Sequence, residues 1–396
     1  MNDPQKFAEI TGTSEEESDI TLAGNVVFSS ITVGGADWTT ETVLSQLRKG
    51  NIELNPKFQR RDAWELDRKS RFIESLILGL PVPQIVLAER MDARGKYIVL
   101  DGKQRLLCLL QFTSNKGASD FPVFSLRNLD IRKDLNGRTY YDLREDLTCT
   151  DVIAAFDNQP IRTVIIKNWK DEALLFHVFI RLNMGSKPLS PQELRQALHP
   201  GPFVDFADEN STACTAIKRI LHSTKPDFRM RDVELVIRHI AFNLFLNRYN
   251  GNMKLFLDST CKELNANWAS YEPRCMELMS RLDRNDEMIR KVFADSDSEY
   301  NYGKWTGEKF EQRFNRAIFD VLLAYIDNPV VYKAWIDTPG IVVTAYKNLC
   351  TNDTRFMESI ESTTKSLENT RYRFQAWAAS LSKVVGVSIT PVVVGK

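Results

Sequence analysis

The order of apolar and polar residues in the first half of the chain predicts strands and helices in turn. Short apolar runs between turn-forming residues predict strands at residues 85–88, 97–100 and 162–166. Apolar residues spaced three to four apart predict helices around these strands. The predicted helices are one that Thr39 or Thr40 caps and that ends near Lys49-Gly50, one from about Asp67 to Gly79, one over residues 103–112, an apolar one over residues 173–182, and one that begins at Ser190.

The last of these helices has a complete start signal. Ser190 is suited to the N-cap, Pro191 to the first helical position, and Glu193 to completing a capping box. The signal therefore predicts both the start of the helix and the hydrogen bonds that hold its first turn.

The second half of the chain contains long helical periodicities, such as those over residues 233–244 and 317–325. We therefore predict an α+β protein, in which residues 36–200 form a mixed α/β domain and residues 201–396 form an all-helical domain. Residues 1–35 contain a run of acidic residues among Ser and Thr, with little apolar material to bury, and predict a disordered acidic tail.

Composition and charge exclude several classes of protein. Lys plus Arg equals Asp plus Glu at 52 each, so no overall positive field attracts the protein to nucleic acid or to a membrane surface. No apolar stretch is long enough to span a bilayer, and the acidic N-terminus lacks the apolar core of a signal peptide, so we expect a cytoplasmic protein. The six cysteines form no CxxC pair, and neither a GxxxxGK[ST] nor a GxGxxG motif occurs, which argues against a zinc site, a P-loop ATPase and a Rossmann enzyme.

The most informative stretch lies between the second predicted strand and the helix that follows it. The strand stops at Asp101-Gly102, and Lys103 and Arg105 occupy the first turn of the next helix. A helix N-terminus carries partial positive charge and favours acidic residues, so two cations there indicate that an anion lies in front of them. The stretch predicts a phosphate site, in which Gly102 permits close approach of the backbone and Asp101 holds a metal ion or caps the helix.

Two further polar clusters also follow apolar elements, where side chains converge on a cleft. They are Gln59-Arg60-Arg61 and the run from Arg181 to Gly185, which contains Asn183. Arg60 is suited to a second contact with a polyphosphate, and Asn183 to a neutral contact or a water bridge to the metal. Taken singly, each cluster has a simpler interpretation: Asp-Gly as a hairpin turn, the cations as solvated surface charge, and Asn183 as a helix C-cap.

The ordered trio FQRRDAW, DGKQR and FIRLNMGSKPLSPQELR resembles the DGQQR-motif family, found as the N-terminal domain of GmrSD-type restriction enzymes and of SspE, and related in fold to ParB and sulfiredoxin. In the second half, FRMRDVELVIRHIAF, RFNRAIFD and Arg373 look like the helical part of the same family. Lys103 departs from the family pattern, which has glutamine there. Leu182 stands where ParB has a metal-binding glutamate, so that ligand is not carried over.

The resemblance implies a ParB-like domain that binds and hydrolyses a nucleoside triphosphate with Mg²⁺. The implied catalytic residues are Asp101, Gln104 and Arg105, with Asp101 also as metal ligand, and the implied nucleotide-binding residues are Gln59, Arg60, Gly102, Lys103, Arg181 and Asn183.

Three functions remain open, in this order. The first is a GTPase-like regulatory subunit of a bacterial anti-phage defence or modification-dependent restriction system, whose helical domain relays the nucleotide state to DNA or to a separate nuclease. The second is a DNA-binding or modification-sensing module without catalysis. The third is a ParB-like DNA nickase. The expected partners are a nucleoside triphosphate, DNA and a nuclease subunit, and a homo-oligomer is compatible with the sequence.

Overall fold

The computed structural model describes residues 31–52, 54, 64–114, 122–169, 174–175, 178, 190–294, 299–362 and 364–395. The chain divides into two compact units. The first runs to Leu198 and includes Phe228–Met230, and the second contains His199–Asp227 and the chain from Arg231 onward. The predicted tail up to residue 30 and most of the predicted helix over residues 173–182 lie outside the described residues.

The first unit is a mixed sheet surrounded by helices. Its elements are β1 (Thr32–Thr39), α1 (Thr40–Arg48), α2 (Leu66–Ile77), β2 (Ile85–Glu89), β3 (Tyr97–Asp101), α3 (Lys103–Phe112), α4 (Tyr140–Glu145), α5 (Thr150–Asn158), β4 (Pro160–Lys167) and α6 (Pro191–Leu198).

The sheet has the strand order β1-β4-β2-β3. β2 is parallel to β4, whereas β1 pairs with β4 and β3 pairs with β2 in antiparallel register. Val86 lies opposite Asp101, so the start of β2 and the end of β3 lie side by side at one end of the strands. The predicted phosphate site begins at that end.

The expected α+β fold is confirmed, and several element boundaries agree with the sequence. α3 covers the predicted residues 103–112. The side chain of Thr39 caps α1 by accepting a hydrogen bond from the amide of Thr42 (3.2 Å). Thr39 and α3 show that local signals, a capping side chain and an apolar period, are sufficient where an element is built from neighbouring residues.

The boundary of the tail was wrong. Residues 32–35, which we assigned to the tail, belong to β1, and two helices, α4 and α5, were not predicted. Val33 is largely exposed, and Gly34 and Gly35 follow it. β1 therefore lacks the alternation of apolar and polar residues that predicts a strand. This edge strand exists because its backbone pairs with β4, which local sequence does not reveal.

The second unit is built mainly of helices in its described residues, joined by turns and irregular segments. Its α-helices are α7 (Pro202–Ala213), α8 (Thr215–Ile220), α9 (Arg231–Phe245), α10 (Met253–Ala266), α11 (Trp268–Phe293), α12 (Arg316–Tyr325), α13 (Pro329–Asp337), α14 (Pro339–Asn352), α15 (Thr354–Glu361) and α16 (Leu367–Val385). In the part of the chain that the structure describes, no helix is long and apolar enough to cross a membrane.

Two buried ion pairs join α9 to α12. Arg238 on α9 holds both carboxylate oxygens of Asp320 on α12, and Arg316 on α12 lies 3.4 Å from Glu234 on α9. These four residues belong to the stretches FRMRDVELVIRHIAF and RFNRAIFD. The charged positions of those stretches therefore bind the helices of the second unit to each other.

Arg373 on α16 has a comparable structural role. Its side chain is fully buried, and it donates hydrogen bonds to the backbone carbonyl oxygens of Ser359 and Thr364. The arginine that resembles a family position thus fastens the end of α15 and the turn after it to α16.

Candidate functional site

The turn between β3 and α3 is formed by Gly102. Gly102 has φ +100° and ψ +6°, a left-handed backbone conformation that residues other than glycine rarely adopt. A Cβ atom there would also lie 3.1 Å from Cγ1 of Ile85 and 3.4 Å from the guanidinium of Arg105. Asp101-Gly102 therefore joins a strand to a helix, and the alternative interpretation of this dipeptide as a hairpin turn was wrong.

Arg105 folds back over this turn. Its Nη2 donates to Oδ2 of Asp101 (2.8 Å) and to the backbone carbonyl of Gln84 (2.9 Å), just before β2. The other carboxylate oxygen of Asp101 accepts the amide of Gly102 (2.8 Å). Arg105 is 13% exposed and Asp101 32% exposed, so the pair lies at the surface end of the turn. The guanidinium is thus held in place at the start of α3, where its Nε is buried without a hydrogen-bond partner.

The N-terminus of α3 favours negative charge. Gly102 occupies the N-cap and has no side chain to cap the helix, and the first turn contains no acidic residue. The helix dipole and the backbone N–H groups at this end both attract anions.

Lys103 is directed elsewhere. Its ammonium lies 2.8 Å from Oε1 of Glu193 on α6, and the two side chains are only 7% and 6% exposed. The other oxygen of Glu193 accepts the amide of Ser190 (2.8 Å), and the hydroxyl of Ser190 accepts the amide of Glu193 (3.1 Å). The predicted capping box is confirmed, and through Lys103 it ties α6 to the start of α3.

The other predicted site residues are placed only in part. Gln104 is half-buried on the first turn of α3. Gln59, Arg60, Arg181 and Asn183 lie outside the described residues. Their convergence on the turn after β3, and the contact of Lys103 with phosphate, stay predictions.

α6 contributes buried polar side chains that the sequence did not indicate as site residues. Gln192, Arg195 and Gln196 are all buried, although the helix is short and mostly polar. A polar helix is normally expected at the surface, so the hydrophobic pattern offered no signal for their burial.

Asp101 is the predicted metal ligand of this turn. Among the described residues there is no group of three or more His, Cys, Asp or Glu side chains that could hold a metal. Asp101 supplies one carboxylate, which already contacts Arg105. Mg²⁺ bound to nucleotide phosphates commonly needs only one or two protein carboxylates, so a single Asp101 is compatible with such an ion.

Comparison with known protein families gives a match over the first unit. Residues 41–200 match a family described as the GmrSD restriction endonuclease, N-terminal domain. No curated protein and no solved structure matches the chain significantly. The matched stretch includes the turn after β3, α3 and α6, and it ends before the helices of the second unit. Residues 41–200 are therefore similar to the N-terminal domain of GmrSD restriction endonucleases.

Proposed function

We propose that the first unit binds a nucleoside triphosphate and hydrolyses it slowly with Mg²⁺, as the regulatory part of a bacterial restriction system directed against phages. The observation that carries the proposal is the guanidinium of Arg105, which lies beside the N-terminus of α3, a helix whose first turn has no acidic residue. The family of the domain supplies the restriction context.

The turn would bind phosphate oxygens in two ways. Backbone N–H groups at the start of α3 donate hydrogen bonds, and Arg105 adds a charged contact at the same place. Lys103 and Arg105 each have an acidic partner, but Asp101 is 32% exposed whereas Glu193 is 6% exposed, so Arg105 can exchange its partner for an anion more readily than Lys103 can. Gly102 lets the phosphate approach the backbone without meeting a Cβ atom.

Hydrolysis would rest on positioning and on charge stabilisation. Arg105 stabilises negative charge on the phosphate oxygens, and Gln104, on the same turn, orients the attacking water. Mg²⁺, when bound with the nucleotide, would neutralise charge on the phosphates next to the carboxylate of Asp101. When Arg105 turns toward phosphate, Asp101 loses its partner and becomes available to that ion or to water.

The proposed partners follow from the family name of the domain. A restriction endonuclease acts on DNA, so we expect the nucleotide state of the first unit to control DNA engagement or a separate nuclease. The second unit, with its ion-paired helices, would relay that state.

The test is a binding and hydrolysis panel with the four nucleoside triphosphates, each with and without Mg²⁺ and DNA. Arg105→Ala should weaken nucleotide binding on the order of tenfold or more, because a charged hydrogen bond contributes roughly 1.5–3 kcal/mol. Arg94→Ala is the matched control, since Arg94 is exposed in the turn between β2 and β3, at the end of these strands opposite to Asp101. Arg105→Lys, which keeps the charge and loses the planar fork, should fall between the two.

Each alternative function has its own outcome. Equal binding and turnover in Arg105→Ala and in the unaltered protein would remove the proposed site. DNA binding that ignores nucleotide and falls steeply with salt would instead identify a DNA-binding or modification-sensing module. Metal-dependent nicking of plasmid by the purified chain would identify a nickase.

A further inference from the structure

Two glutamine side chains on α6 are buried with hydrogen-bonding atoms that have no partner. Gln196 is 3% exposed, and neither its Nε2 nor its Oε1 makes a hydrogen bond. Gln192 is fully buried, its Oε1 accepts from Arg195, and its Nε2 has no partner. Three polar atoms of two neighbouring amides are therefore left without the hydrogen bonds that they made in water.

Such an arrangement is unfavourable for the protein alone. Buried polar groups are nearly always hydrogen-bonded, because an unsatisfied one retains the full cost of losing its water. Leucine or methionine would fill the same space without that cost. The amides are thus best explained by a polar partner that is not part of the described chain.

α6 lies beside the proposed phosphate site. It packs against β3, the strand that ends at Asp101, and Glu193 holds the ammonium of Lys103 at the start of α3. Residues 192 and 196 are one helical turn apart on α6, and residue 196 is also adjacent to residue 193 on the helix surface. The unpartnered amides therefore lie on the same side of α6 as the link to α3, the helix proposed to bind the phosphates.

We propose that Gln196, assisted by Gln192, recognises the base of the bound nucleotide, an inference that rests on the function proposed above. A primary amide presents one donor and one acceptor in a plane, which matches the adjacent donor and acceptor on the edge of a nucleobase. Phosphate binding and base recognition are then divided between two helices, α3 for the phosphates and α6 for the base, and the Lys103–Glu193 ion pair sets the distance between them.

The experiment measures the affinity of the full chain for the four nucleoside triphosphates and for inorganic tripolyphosphate, by titration calorimetry. Gln196→Leu removes the donor and the acceptor, and Gln196→Glu keeps the shape while replacing the donor with an acceptor. Gln46→Leu is the control, because Gln46 lies on α1 and its Oε1 accepts from Asn51, whose backbone carbonyl accepts from Tyr97 at the start of β3, the far end of that strand from Asp101. Urea denaturation of each variant verifies that it is folded, and Gln196→Glu serves if the leucine variant is not.

The expected result is a base preference that Gln196→Leu reduces about tenfold while affinity for tripolyphosphate changes less than about twofold. Gln196→Glu should change which base is preferred, and Gln46→Leu should change nothing. An unchanged base preference in both Gln196 variants would overturn the inference and indicate amides satisfied by buried water.

Two other outcomes separate this inference from the function on which it rests. If the unaltered chain binds tripolyphosphate and all four nucleotides alike, base recognition is wrong and the phosphate site stands. If it binds none of them, the proposed function fails, and this inference with it. Altered DNA binding in Gln196→Leu, with nucleotide binding unchanged, would assign the amides to a DNA base and overturn the proposal.

Discussion

The ion pair between Arg238 and Asp320 offers the most quantitative test of how the second unit is held together. Arg238 Nε lies 3.0 Å from each carboxylate oxygen, Nη2 lies 2.6 Å from Oδ2, and each side chain is 1% exposed. The guanidinium also lies 5.0 Å from the centre of the Phe242 ring. Removing Arg238 leaves a buried carboxylate without its main countercharge, so Arg238→Met should lower the free energy of unfolding by about 3–5 kcal/mol.

The same physics predicts a partial rescue. A buried ion pair is costly to desolvate, so replacing both partners with apolar residues of similar volume is often neutral. The double variant Arg238→Met/Asp320→Leu should therefore be more stable than either single variant. With an unfolding slope of about 2 kcal/mol per molar urea, the single variants should unfold roughly 2 M earlier than the unaltered protein.

Urea denaturation followed by circular dichroism measures these differences, and the double-mutant cycle isolates the pair. Arg355→Ala is the control, because the Arg355–Glu368 pair is exposed and should contribute less than about 1 kcal/mol. If the losses in the two single variants simply add in the double variant, the two side chains are not coupled and the reasoning fails.

Three further predictions concern Lys103 and Glu74 in the first unit and the pH response of His239 in the second. Lys103→Met should lower the free energy of unfolding by about 3 kcal/mol, and Lys103→Gln by roughly half of that, because glutamine still donates a hydrogen bond to Glu193. Glu74→Gln should cost about 2 kcal/mol, since the buried Glu74 carboxylate accepts three backbone N–H groups of residues 130–132. Burial lowers the pKa of His239 to about 4. The fold favours the neutral ring, so the stability that comes from keeping His239 neutral is fully present above the unfolded pKa of about 6.5. That stability is lost as pH falls toward 4, by up to roughly 3 kcal/mol.

All three are measured as urea midpoints, each against its own control. Lys133→Met and Glu145→Gln, at exposed positions of the first unit, should have little effect. If Lys103→Met is as harmless as Lys133→Met, the Lys103–Glu193 pair does not stabilise the fold, and the same comparison applies to Glu74 and Glu145. For His239, the unaltered protein and His239→Leu should diverge between pH 6.5 and pH 4, and parallel curves would contradict the assignment.

Elements determined by neighbouring residues were predicted well. α3 and the capping box of Ser190 and Glu193 depend on residues within one helical turn, so the sequence contains all of the required information. β1 shows the opposite case, because Val33, Gly34 and Gly35 form a strand only through the backbone of β4, more than a hundred residues away.

The candidate site divides in the same way. Asp101-Gly102 and Arg105 lie within four residues of each other, and their geometry follows from a strand, a glycine turn and a helix. The partner of Lys103 is Glu193, 90 residues later, and no local pattern indicates that pairing. The buried amide of Gln196 was equally invisible, because polar residues in a polar helix predict exposure. The motif indicated the similarity to the GmrSD N-terminal domain, whereas the contact of Lys103 with Glu193 is seen only in the folded structure.

The ion pairs between α9 and α12 also specify how those helices are oriented. Glu234 meets Arg316 and, one turn later on both helices, Arg238 meets Asp320, so the paired charges advance in the same direction along α9 and α12. Reversing one helix, or sliding it by a turn, would bring glutamate against aspartate or arginine against arginine inside a low-dielectric interior. The alternating charges therefore disfavour wrong registers during folding. Four side chains thus determine both the relative direction and the register of α9 and α12.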